Sequence, residues 1–109
     1  MNVESMKKIL ENCTEETIVF DEPHVLVRCG ENDITKEKVL HILLHETNTL
    51  TNIIEARPQV YRVYFQLTKK RQLKVILDLC EYKKIRIRTV KMMNRKLYKS
   101  AKLSWRRRW

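Results

Sequence analysis

Apolar residues recur along this chain at two different periods, and the change falls near Asn48. Before it the spacing is helical. Met6, Ile9 and Leu10 share a face within Ser5–Asn12, which predicts a short first helix with Ser5 as its cap. Ile18-Val19-Phe20 is a short apolar run of strand character. In Pro23–Asn32, His24, Val27 and Arg28 suit a helical turn opened by Pro23 at its first position and ended by Gly30. The strongest helix starts at an N-cap Thr35 and runs to about His45, with Glu37 in its first turn and Val39, Leu40, Ile42 and Leu43 on its apolar face.

After Asn48 the period becomes two. Leu50–Glu55, Val60–Leu67, Leu73–Cys80 and Ile85–Lys91 read as four strands joined by short connections, hence an antiparallel meander. Alternation sorts their side chains. Tyr61, Val63, Phe65 and Leu67 share one side with Leu73, Val75, Leu77 and Leu79 and with Ile85 and Ile87, and this side should meet the helices. The opposite side carries Arg62, Tyr64 and Gln66, then Lys74, Ile76 and Asp78, then Arg86 and Arg88. From Asn94 the pattern turns helical again and ends in a basic tail. The expected fold is α+β, with N-terminal helices on one face of a four-stranded or slightly larger antiparallel sheet. Residues 1–17 hold the first helix, 18–93 the core and 94–109 the basic helix or tail of one domain.

The 109 residues suffice for one core without metals or disulfides, and 43% hydrophobic residues with one glycine and two prolines argue for a folded chain. Charge changes the picture more. The net charge is +10, but it is divided unevenly. Met1–Ala56 holds 5 basic and 11 acidic residues, whereas Arg57–Trp109 holds 18 basic and 2 acidic. A half of that density attracts polyphosphate backbones through counterion release. Cys13, Cys29 and Cys80 match no disulfide scaffold and no paired-cysteine metal motif, which suits a reducing cytoplasm. Neither a secretory signal at Met1–Ser5 nor an apolar run of membrane-spanning length is visible, so no membrane partner is expected.

The candidate chemistry lies on the basic sheet side. Neighbouring strands are about 4.8 Å apart, so Arg62, Tyr64, Lys74, Asp78, Arg86 and Arg88 can converge on one phosphate and its base. Guanidinium groups grip phosphate bidentately and tyrosine offers a stacking surface. Cleavage of RNA by its own 2′-hydroxyl needs a base, an acid and cations for the charge on phosphorus. Arg62, Lys74, Arg86 and Arg88 are the cations; Asp78, Tyr64 and a lysine of lowered pKa are the candidate proton carriers, with His24 as a rival outside the sheet. Lys91 and the tail cations Arg95, Lys99, Arg106, Arg107 and Arg108 extend the nucleic-acid-binding set, and Trp105 and Trp109 offer surfaces for bases. Glu37, His41 and His45 share a helical face but lack a fourth ligand at diagnostic spacing, so no metal and no cofactor are expected.

The order Phe20, Pro23-His24, Arg28, Ile34-Thr35, Val39, then Tyr61–Phe65, Leu73–Ile76 and Ile85–Val90, resembles a small prokaryotic family related to the RelE/ParE/BrnT-like toxins. The resemblance spans about Phe20 to Lys96. It implies a RelE-like fold whose open sheet face meets ribosome-bound messenger RNA, metal-independent endoribonuclease activity, and a cognate acidic or amphipathic antitoxin that covers that face. The chain departs from better-known members in lacking a histidine after the last strand, where Tyr98 is the nearby substitute. Three functions therefore stand at this point: a toxin that cleaves messenger RNA, a non-catalytic RNA- or DNA-binding module, and a subunit that docks its basic half on an acidic protein.

Overall fold

The computed structural model describes residues 1–81 and 83–94. Three helices, α1 (Val3–Glu11), α2 (His24–Glu31) and α3 (Lys36–His45), precede most of a five-stranded sheet: β1 (Ile18–Phe20), β2 (Leu50–Arg57), β3 (Val60–Gln66), β4 (Arg71–Asp78) and β5 (Ile85–Asn94). The strand order is β1-β5-β4-β3-β2. The meander from β2 to β5 is antiparallel as expected. Ile18-Val19-Phe20, however, adds a fifth strand parallel to β5, so the sheet is mixed. The last strand also continues to Asn94, where helical spacing had suggested a new helix. The basic tail beyond it, with Arg95, Lys99, Arg106, Arg107 and Arg108, lies outside the described residues.

Local chemistry explains the helix ends. Asn2, not Ser5, caps α1: its Oδ1 accepts from the Ser5 amide at 2.8 Å, so the helix begins before Ser5. Thr35 caps α3 as its sequence suggests, accepting from the Lys38 amide at 3.0 Å. The end of α2 is not made by Gly30, which is still helical. Asp33 takes the left-handed conformation (φ 54°) instead, its amide donates to the Gly30 carbonyl, and the Ile34 amide donates to Cys29. This is a Schellman closure with an aspartate at the usual glycine position, followed by an Ile34 that packs on the core. Pro23 sits one residue ahead of the helix rather than at its first position.

One core joins the layers. Met6 and Leu10 of α1, Val25 and Cys29 of α2, and Val39, Ile42 and Leu43 of α3 meet Tyr61, Val63, Phe65, Leu73, Val75, Leu77, Ile85 and Ile87 of the sheet. The alternation thus assigns the inner face correctly, except that Leu67 and Leu79 at the strand ends are only partly buried. No helix among the described residues is long and apolar enough to cross a membrane.

Candidate nucleic-acid interface

The outer face is built in cross-strand rows. One row runs Asn52, Tyr64, Lys74, Lys91 across β2 to β5, and the next runs Ile54, Arg62, Ile76, Thr89. Lys91 joins this face through an irregularity that strict alternation does not foresee. Ile76 pairs with Thr89 while Leu77 pairs with Ile87, so Arg88 is an extra residue in β5. Such a bulge reverses the phase of everything after it. Val90 consequently points inward and is 1% exposed, and Lys91 is exposed beside Lys74.

The cations of this face fall into two groups. Arg86 and Arg88 are held by carboxylates: Arg86 lies 2.6 Å from Glu81 and 3.9 Å from Asp21, and Arg88 lies 3.4 Å from Asp21 and 3.2 Å from Asp78. Their charge is largely answered within the chain. Arg62, Lys74 and Lys91 have no carboxylate within salt-bridge distance among the described residues. Lys74 is half-buried between the other two, and burial first, then the charges of Lys91 and Arg62, push its ammonium below the ordinary lysine value.

Asp78 is the one buried charged residue among those described, at 8% exposure. Its carboxylate accepts from the Cys80 amide at 2.9 Å and forms an ion pair with Arg88 Nε at 3.2 Å. The hydrogen bonds from Cys80, and to a lesser extent Arg88, keep it below the usual carboxylate range, against the opposing effect of burial. A carboxylate so held anchors Arg88 and is poorly suited to donate a proton near neutral pH. Tyr64 is half-buried on the row beside Lys74, and its hydroxyl makes no hydrogen bond among the described residues.

Sequence reasoning gathered six of these residues on one face, and the structure brings Arg62, Tyr64, Lys74, Asp78, Arg86 and Arg88 together there. His24 is not part of that assembly. It is exposed on the first turn of α2, with no side-chain hydrogen bond or ion pair. Two residues were missed. Asp21, just past β1, lies between Arg86 and Arg88. Asn32, the C-cap of α2, accepts from the Met92 amide at 2.9 Å and donates toward the Val90 carbonyl at 3.4 Å, filling the place of a neighbouring strand where β1 has ended. No local signal marks either, because both act on residues about 60 positions away. Among the described residues, no group of three or more histidines, cysteines or carboxylates is placed to hold a metal; the rings of His41 and His45 pack at a 45° tilt on α3, and His41 lies 3.3 Å from Glu46.

Compared with models of protein families, with curated proteins and with solved structures, the chain matches none.

Proposed function

We propose that this protein binds single-stranded nucleic acid, RNA foremost, through the outer face of its sheet. The observation that carries this reading is the cluster of Arg62, Lys74 and Lys91 on two adjacent cross-strand rows, three cations without carboxylate partners among the described residues, beside Tyr64. Concentrating like charge on half-buried positions opposes folding, and a bound phosphate removes that cost. Tyrosine supplies a stacking surface that tolerates any base. Fluorescence anisotropy with a labelled oligoribonucleotide tests it. Binding that is lost on replacing Arg62 and Lys74 together by alanine, with unchanged circular dichroism, supports the reading; no binding by wild type at low salt refutes it.

A second reading, the endoribonuclease of a toxin–antitoxin pair, draws on the lowered pKa of Lys74. An ammonium that gives up its proton more readily serves better as the acid for the departing 5′-oxygen, while Arg62 and Lys91 stabilise charge on phosphorus. Under this reading, an acidic or amphipathic partner protein covers the same face. Induced expression with messenger-RNA mapping, with and without the adjacent gene, separates cleavage from simple binding.

A further inference from the structure

Where the outer face meets the end of α2, a polar cleft of about 400 Å³ opens. Arg28, Glu31 and Asn32 form its helical wall, and Lys74, Thr89 and Lys91 form its floor. The charges on the two sides differ. Arg28 is neutralised by Glu31 at 3.2 Å, so the wall carries little net charge. Lys74 and Lys91 are direct cross-strand partners, and neither has a carboxylate within salt-bridge distance among the described residues, Glu31 being paired with Arg28. Two ammonium groups therefore share one recess with the hydroxyl-bearing side chain of Thr89.

We propose that this cleft seats the terminal phosphate of a nucleic-acid strand lying on the sheet. The inference rests on the nucleic-acid reading above and specifies that a chain end, rather than an internal phosphate, is held here. Two observations favour a chain end over an internal phosphodiester. First, the site offers two unanswered positive charges, which match a phosphate monoester, carrying about −1.5 to −2 near neutral pH, better than a singly charged diester. Second, the cross-strand row ends at β5, where Asn32 of α2 occupies the flank of the strand through its bonds to Val90 and Met92. The Asn32 amide is committed there: it donates to the Arg28 carbonyl at 2.7 Å and toward Val90, and it accepts from Met92. A strand that stacks a base on Tyr64 and crosses the row toward β5 thus places its end on Lys74 and Lys91. The burial that weakens Lys74 as a free cation also strengthens its interaction with an anion that excludes water.

The test compares oligoribonucleotides of one sequence carrying a 5′-phosphate, a 3′-phosphate or hydroxyls at both ends, read by anisotropy. An added charge-assisted contact makes one phosphorylated end bind on the order of tenfold tighter than the hydroxyl-ended strand. Lys91→Ala abolishes that preference. Lys69→Ala, on the exposed β3–β4 turn, lowers affinity for all three strands alike. Inorganic phosphate titrated alone shifts the amide resonances of Thr89 and Lys91. Equal affinity for all three strands, or a preference that survives Lys91→Ala, overturns the cleft assignment and leaves the binding function standing. Failure of every strand to bind overturns both.

Discussion

Arg88 illustrates how a residue chosen for function can serve stability. Its guanidinium bridges Asp21 and Asp78, carboxylates from the end of β1 and the end of β4. Replacing it by alanine leaves the buried Asp78 with its Cys80 hydrogen bonds but no ion-pair partner, and thermal denaturation should show a loss of about 1–2 kcal/mol. Asp78 itself confers a pH dependence of known sign. Its folded pKa is depressed, so its contribution is fully present above the unfolded value of about 4 and disappears as pH falls through the lower folded value. Melting temperatures of wild type and Asp78→Asn should therefore converge below about pH 4, and a difference that stays constant down to pH 2 would contradict this account. Lys74 behaves in the opposite sense. Because burial and two like charges oppose its ionised form, Lys74→Gln should leave stability unchanged or raise it by a few tenths of a kcal/mol while weakening RNA binding.

Among the elements, β5 decides most about the interface. Its first half is flanked by β1 and β4; its second half, past the bulge, has β4 on one side and Asn32 on the other. Asn32→Ala frees the Met92 amide and the Val90 carbonyl together and removes a bond to the end of α2. A loss of about 1–3 kcal/mol should follow, with greater aggregation at elevated temperature because an edge becomes available for pairing. By contrast, Val63→Asp and Val75→Asp place a charge beneath the helices at fully buried positions and should abolish folding. Soluble, cooperatively folded Val75→Asp protein would show that the inner and outer faces have been exchanged.

At the level of the whole molecule, charge is segregated along the chain and partly reconciled in space. The acidic first half supplies Asp21 to the two arginines of β5, whereas Arg62, Lys74 and Lys91 lie beyond the reach of its carboxylates. Binding to a single-stranded oligonucleotide should weaken steeply with salt, each phosphate contact adding about 0.7 to the slope of log affinity against log salt. Removing Lys91 should lower that slope by about one contact, and removing Arg86, whose charge Glu81 answers, should change it much less. Equal effects from the two would mean that the ion pairs of Arg86 open when the strand binds.

Period was enough to place the three helices, the four-strand meander and the inner face of β3 and β4, while of the expected caps only Thr35 holds, Asn2 and Asp33 taking the places read for Ser5 and Gly30. Those features depend on neighbours within a few residues, where side-chain direction follows directly from backbone repeat. The same alternation collected Arg62, Tyr64 and Lys74 on one side of the sheet. What it left open depended on distant partners. The three residues of β1 are too short to declare a direction, and their parallel pairing exists only because β5 offers its free edge. The bulge at Arg88 carries no glycine or proline to announce it, yet it turns Val90 inward and Lys91 outward. Above all, a sequence records the number of cations but not which are answered: Arg88 and Lys91 are three residues apart and equally basic, and only the fold brings Asp21, 67 residues away, to one and leaves the other unpaired with acid beside Lys74.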